Sequence, residues 1–339
     1  MRFPFSLTRS MAGYLLKKSL SGEKHFPLVL MLEPLHACNL RCTGCGRIRE
    51  YADCVDRRLS IDDCLGALDE CGAPIVSICG GEPLIYPEIG ELVQAILARR
   101  KHIYLCTNGV ALADKLPRFK PDGRLFINVH LDGMENTHDR IVGKRGVFAQ
   151  AVAGIEAAKK AGFQVCTNTT VYKPTNPHEV AVLFEYLSHL GVDGLMISPA
   201  YGYQAVREDN ALADDEVFMT REEIWSVFRG LRELLRDFRL TATPVYFDFL
   251  CGRRSLSCAA WANPTYNVRG WKGPCYLVTD RHYATYRELI DQTDWDRLGP
   301  GNDSRCEHCL VHCGFEPAAV LASNRRLRDM ARMAVWQMT

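Results

Sequence analysis

Cys38-Asn-Leu-Arg-Cys42-Thr-Gly-Cys45 spaces three thiols as C-x3-C-x2-C in a loop directly after the first strand-like run of the chain, residues 28–33. Three thiolates at this spacing can each take one iron of a cubane cluster, which leaves the fourth iron without a protein ligand and open to a substrate. A tetrahedral zinc site would instead want a fourth protein donor, for which His36 stands nearby.

Working outward from this loop, further strand-like runs at 74–79, 102–106, 125–131, 163–171 and 193–197 alternate with amphipathic helical patterns at 61–71, 89–99, 147–161 and 177–190. Gly162 and Gly191 stop the last two helices. Repeated strand–helix alternation predicts a parallel sheet covered by helices. Six such units predict a partial (β/α)6 TIM-like barrel, although alternation alone also admits a flat doubly wound sheet. Beyond Pro199 the pattern breaks into a polar stretch at 204–216 and a strong helix at 221–238. Residues 241–316 lose clear periodicity and become rich in Cys, Trp, Tyr, Gly and Pro; a helical tail is expected at 317–338. The expected organisation is a basic amphipathic segment at 1–27, a barrel at 28–200 and a cysteine-rich C-terminal region at 201–339.

The 339 residues are 47% hydrophobic and 24% charged with a formal net charge of +1, an ordinary globular composition without the basic excess that a nucleic-acid partner requires. No apolar run reaches the roughly 18 residues of a membrane span. The longest apolar run near the N-terminus, 11–16, is too short for a signal-peptide core, so a cytoplasmic location is expected. Residues 7–20 interleave Leu7, Met11, Leu15 and Leu20 with Arg9, Lys17 and Lys18, the pattern of an interfacial helix or of a surface helix packed on its own domain. Peripheral contact with the inner face of a membrane is the functional form of that reading.

Fifteen cysteines are many for a compartment where disulfides are rare, and close-spaced ones there point to metal or catalysis. A second group, Cys306-x2-Cys309-x3-Cys313, could bind a second metal with Cys275, or with Cys251 and Cys258, as further ligands. His308 and His312 beside it would suit zinc, and a packed cysteine-rich turn is the alternative.

The first cysteine loop resembles the radical S-adenosylmethionine (SAM) signature, and companion motifs follow at the ends of later strands. Gly80-Gly81-Glu82-Pro83 resembles the superfamily's GGEP turn, Thr107-Asn108-Gly109 its TNG turn, and His130-Leu-Asp132-Gly133 its S-x-D-G segment. One departure is Gly44, where many members carry an aromatic residue that covers adenine. The resemblance implies a [4Fe–4S] cluster on Cys38, Cys42 and Cys45. It implies that Glu82 and the Gly80–Gly81 backbone hold the methionyl end of SAM, while Asn108, Asn128, His130 and Asp132 help hold the nucleoside. A low-potential donor such as flavodoxin or ferredoxin would supply the electron.

A closer resemblance, to the adenosyl-hopene transferase family, rests on Tyr14-Leu-Leu-Lys-Lys, Phe26-Pro-Leu-Val-Leu-Met-Leu-Glu-Pro-Leu, Cys79-Gly-Gly-Glu-Pro-Leu, Leu105-Cys-Thr-Asn-Gly and Cys306-Glu-His-Cys309-Leu-Val-His-Cys313-Gly-Phe-Glu-Pro. It implies that SAM is a co-substrate whose 5′-deoxyadenosyl radical adds to the terminal alkene of the hopanoid diploptene, giving adenosylhopane. The tertiary carbon radical so formed needs a hydrogen atom, or an electron followed by a proton, and Cys106, at the end of the third strand, is the expected hydrogen donor, with Cys79 as the alternative. Tyr246, Phe247, Phe249, Trp261, Tyr266, Trp271 and Tyr276 are expected either to wall an apolar pocket or to form the core of the C-terminal region. The rival readings are a peptide-modifying radical SAM enzyme with an auxiliary metal cluster, and a non-catalytic iron–sulfur protein.

Overall fold

The computed structural model describes residues 2–208, 214–323 and 326–338. Six strands, β1 (Val29–Leu32), β2 (Ile75–Ile78), β3 (His102–Thr107), β4 (Leu125–His130), β5 (Gln164–Val171) and β6 (Gly194–Pro199), lie side by side in chain order, each parallel to the next. Parallel neighbours require crossovers. The principal ones are α2 (Ile61–Cys71), α3 (Ile89–Ala98), α4 (Val147–Lys160) and α5 (Pro177–His189), preceded in the chain by α1 (Phe5–Ser21). A capping box starts α2, where Ser60 Oγ accepts from the Asp63 N–H and Asp63 returns the bond to the Ser60 N–H, both at 3.1 Å.

Side chains alternate across each strand. Leu30, Leu32, Val76, Ile78, Ile103, Leu105, Ile127, Val129, Leu195 and Ile197 are fully or almost fully buried and share the main core with helix residues such as Leu68, Leu92, Ile155 and Leu183. The opposite positions, among them Ser77, Tyr104, Cys106, Asn128, His130, Asn168 and Thr170, face the concave interior. That interior is polar toward the carboxyl ends of the strands.

The sheet is longer than the six expected units. β7 (Thr265–Asn267) pairs parallel to the free side of β1, and β8 (Gly270–Pro274) and β9 (Thr279–Tyr283) extend it antiparallel, giving the order β6-β5-β4-β3-β2-β1-β7-β8-β9. The sheet does not close: β6 and β9 are its two edges. These three short strands were not legible because β8 carries the buried, ion-paired Lys272 between Trp271 and Gly273 and shows no apolar alternation. The remaining C-terminal helices are α6 (Arg221–Leu234), α7 (Pro244–Leu250), α8 (His312–Ser323) and α9 (Leu327–Met338). The expected single tail helix therefore starts earlier and is two helices. The strong helix expected over 221–238 ends at Leu234, and residues 209–213 of the polar stretch lie outside the described residues.

The apolar side of α1 is spent on the protein itself. Leu7 packs with Ile75, Phe126 and Cys166, and with Phe3, Met11, Val29 and Tyr104, so the helix stoppers the amino end of the barrel. Met11, Tyr14 and Leu15 also meet a smaller cluster built on Phe26, Leu28 and Ala262. The exposed apolar residues of α1 are Phe5, Leu16 and Leu20, on another face. Most of the C-terminal aromatics are likewise core: Tyr246, Phe247 and Phe249 on α7 and Trp271 on β8 belong to the main cluster, Tyr266 packs against it, and Trp261 joins the smaller one. Among the described residues no helix is long and apolar enough to cross a membrane.

Candidate active site

The carboxyl end of the barrel collects the three motif turns around the cysteine loop. The Cys45 N–H bonds the Cys42 carbonyl at 3.2 Å, and the Arg49 guanidinium donates to the carbonyls of Cys42 and Cys45 at 3.1 and 2.7 Å, fixing the loop from below. Cys38 and Cys42 pack beside Leu40, Val142 and Val147. Burial raises the Cys38 thiol pKa to about 11, and raises that of Cys42 further with Cys45 and Cys38 adding to the effect. The three thiols are thus close enough to repel one another's thiolates, and a cationic centre between them would offset that repulsion.

Among the described residues no three His, Cys, Asp or Glu side chains close around a single ion. A cubane assigns one thiolate to each iron and spreads its ligands over three corners, so an open three-thiol loop suits it better than it suits zinc. His36, the other candidate zinc donor, is turned away: its Nε2 pairs with Glu33 at 3.1 Å and its ring stacks on Tyr51 with centroids 3.9 Å apart. Burial would raise the Glu33 pKa, but Arg47, His36 and Lys272 pull it down to about 2, so this group is a buried carboxylate held by cations.

Gly44 acquires a reason. A Cβ there would lie 2.6 Å from the Tyr172 hydroxyl, so the ring of Tyr172, just beyond β5, fills the space beside Cys45. On the other side a Cβ on Gly46 would collide with the ring of Tyr203. The aromatic missing from the loop is replaced in space by a residue from a distant strand. The two glycines flanking Cys45 were the signal in the sequence that something bulky packs there.

Gly80 (φ 102°) turns in the left-handed region that favours glycine, and a Cβ on Gly81 would collide with the Ala37 carbonyl. This close approach lets the Gly81 and Glu82 amides bond the carbonyls of Leu35 and Ala37 at 3.0 and 2.9 Å. Glu82 is almost fully buried. Its Oε1 accepts from the Leu84 N–H at 2.9 Å and from Thr107 Oγ1 at 2.7 Å, and its Oε2 from the Asn108 N–H at 2.8 Å. Burial raises its pKa, against the pull of these three bonds. A carboxylate offers about four acceptor sites, so one, on Oε2, is left for an incoming ammonium. Asn108 is occupied within the protein: its Nδ2 donates to Asn39 Oδ1 at 2.7 Å and its Oδ1 accepts from the Val110 N–H at 3.0 Å.

Asp132 is structural in its contacts, accepting from the Thr170 N–H at 2.7 Å and pairing with His130 Nε2 at 2.7 Å. Burial would lower the His130 pKa, yet the Asp132 carboxylate raises it, while burial lowers that of His138 to about 4. Asn128 and Asn168 leave their amide oxygens buried without a partner. Orphaned acceptors of this kind are costly, and they are ready to receive the hydroxyl or amino donors of a nucleoside. Cys106 is cross-strand to Asn128, which is itself cross-strand to Cys166. Its Sγ lies 3.3 Å from Ser77 Oγ and 3.7 Å from Asn128 Nδ2, and burial raises its pKa, so the group is a thiol rather than a thiolate. The residues present therefore fit a cubane on three thiols and an amino-acid nucleoside lying across the strand ends.

Residues 32–187 match the family model described as the radical SAM superfamily, and residues 195–333 match a domain of unknown function, DUF3463. The chain is 32% identical over 170 residues to the AdoMet-dependent heme synthase of Methanosarcina barkeri, covering 49% of this chain and 48% of that protein. It is 32% identical over 169 residues to GTP 3′,8-cyclase 1 of Mycobacterium tuberculosis, covering 46% and 47%. The chain thus spans about half the length of the curated relatives it matches. Among solved structures, Streptococcus suis SuiB bound to its precursor peptide SuiA superposes with a TM-score of 0.63 at 13% identity, over 94% of this chain and 77% of that one. AdoMet-bound anSMEcpe gives 0.54 at 16% identity, over 91% and 98%. At such identities the likeness is one of fold. The cofactors of the matched superfamily are a [4Fe–4S] cluster and SAM. Residues 32–187 of this chain are accordingly a radical SAM domain.

Proposed function

We propose that the protein is a radical SAM adenosyl transferase that joins the 5′-deoxyadenosyl group of SAM to the terminal alkene carbon of diploptene, forming adenosylhopane. Cys38, Cys42 and Cys45 would hold the cluster, which when bound supplies the electron that splits SAM into methionine and a 5′-deoxyadenosyl radical. Glu82 holds the methionyl ammonium through its spare acceptor site, and Asn128 and Asn168 meet the nucleoside, with His130 and Asp132 bracing the fourth strand end.

The observation that carries the reading is Cys106, a protonated thiol on the inner face of the barrel, one residue before the Thr107 hydroxyl that bonds Glu82. Addition of the radical to the alkene CH₂ forms one C–C bond and leaves a tertiary carbon radical. Cys106 gives that carbon the hydrogen atom of its S–H bond and becomes a thiyl radical. One electron and one proton restore the thiol, so each turnover consumes two electrons from a flavodoxin- or ferredoxin-type donor, one for SAM and one for the thiyl. The apolar side chains exposed on α1 (Phe5, Leu16, Leu20) and α9 (Leu327, Met330, Val335, Met338) would rest on the cytoplasmic face of the membrane that stores the hopanoid. The two helices meet where Arg2 bonds the Trp336 and Gln337 carbonyls.

The test is anaerobic turnover of the reconstituted, reduced protein with SAM and diploptene, followed by mass spectrometry. A product that depends on both substrates and has the mass of adenosylhopane supports the reading. Release of 5′-deoxyadenosine without it, or stimulated by peptides instead, transfers support to a peptide-modifying enzyme. No SAM cleavage by cluster-loaded protein favours a non-catalytic role.

A further inference from the structure

The C-terminal cysteines gather in a way that their spacing only hinted at. Cys258, Cys275, Cys306, Cys309 and Cys313, drawn from three separate segments, all line one cavity of about 30 Å³. The first of them is admitted by a glycine: a Cβ on Gly314 would lie 2.5 Å from Cys258 Sγ. A backbone amide is aimed at one of these sulfurs: the Val278 N–H donates to Cys275 Sγ at 3.3 Å. Thiols brought from distant parts of the chain to line one cavity form a soft donor set of the kind that selects zinc or iron–sulfur clusters. Asn263, which lines the same cavity, has a buried amide oxygen with no partner.

We propose that this cavity binds a second iron–sulfur cluster, a [4Fe–4S] cubane held by thiolates from four of these five cysteines. Among the described residues no three of these side chains close around a single ion, as a tetrahedral zinc requires, whereas a cubane spreads four thiolates over separate irons around a lined space. The neighbouring histidines do not serve as zinc ligands either: His308 Nδ1 accepts from the Arg221 N–H at 3.3 Å, and His312 does not line the cavity. The second site adjoins the first through Arg47. This residue is two positions past Cys45, bonds the Tyr276 carbonyl next to Cys275, and places its guanidinium 4.4 Å from the Tyr276 ring centroid and 5.4 Å from that of Tyr203.

The proposal concerns residues outside the radical SAM domain and stands or falls apart from the adenosylation reading. The full chain is reconstituted anaerobically with iron and sulfide and assayed for metal by emission spectrometry, with Mössbauer spectra taken on ⁵⁷Fe samples. The wild type should carry about eight irons. Cys38→Ala/Cys42→Ala/Cys45→Ala should retain about four, still as a cubane. Cys306→Ser/Cys309→Ser should also retain about four while still binding SAM, which certifies that it has folded. A wild type with about four irons, all lost in the first triple variant, overturns the proposal, as does zinc in place of iron at the second group.

Discussion

Replacing Glu82 by Gln keeps the shape of the side chain and removes one acceptor oxygen and the charge. Both carboxylate oxygens are engaged by donors, so the new NH₂ group must face at least one of them. Placing it at the Oε2 position sacrifices one bond, the 2.8 Å contact from the Asn108 N–H; the Oε1 position would oppose both Leu84 and Thr107. A buried amide left unpaired costs about 1–3 kcal/mol of stability. The loss to ligand binding is separate, because the Oε2 position is also the one with a site to spare for the SAM ammonium. A hydrogen bond between charged groups contributes about 1.5–3 kcal/mol, which predicts SAM binding roughly 10- to 150-fold weaker. Equilibrium titration of SAM into anaerobic protein of matched iron content reads the affinity, and urea unfolding reads the stability. A Glu82→Gln protein that keeps its iron and binds SAM within about threefold of wild type would refute the reasoning.

Cys106→Ala should still cleave SAM in the presence of diploptene but yield little saturated adduct; wild-type yield of adenosylhopane would remove Cys106 as the sole hydrogen donor. Glu316, on α8, accepts from the Thr243 N–H and hydroxyl, both at 2.8 Å, and burial pushes its pKa up from 4.5 to about 7. The unfolded chain releases this proton first, so the fold loses stability as pH rises from 4.5 through about 7 and no further loss follows above it. Glu316→Gln should therefore gain on the wild type in urea unfolding as pH rises across that interval; a gain independent of pH would contradict the assignment. Leu7→Ala, at the stopper of the barrel, should cost about 2–5 kcal/mol of stability. Leu16→Ser/Leu20→Ser should leave stability within about 0.5 kcal/mol per site while reducing co-sedimentation with anionic vesicles; undiminished binding would remove α1 from the membrane contact.

The barrel was readable because each of its helices and strands carries its own periodic signal. The helix expected at 61–71 is α2, and those expected from 89, 147 and 177 end within a residue or two of the observed ends. The motif turns were readable because the chemistry sits in contiguous words. What escaped depends on contacts between distant segments. No local pattern says that Tyr172 covers Gly44, that the apolar side of α1 faces Ile75 and Phe126, or that of the further ligands offered for the second cysteine group Cys275 and Cys258 line one cavity with it while Cys251 packs in the main core. Arg47 escaped for a different reason. It reads as an ordinary surface charge near the cysteine loop, yet it is buried among three tyrosine rings and pairs with Glu33 at 3.6 Å.

The short ladder between residues 35–37 and the Gly80–Glu82 turn has a consequence for how the protein gains and loses its ligands. Because the Gly81 and Glu82 amides are held by carbonyls on the very segment that leads into Cys38, the two loops cannot open independently. Stripping iron with a chelator should therefore release those two amides to solvent exchange even though neither touches a cysteine. Their deuterium uptake becomes a clock for the departure of a metal several bonds away. On the proposed reading the same linkage would order assembly, since a chain not yet given its iron would hold the seat for its nucleoside less firmly.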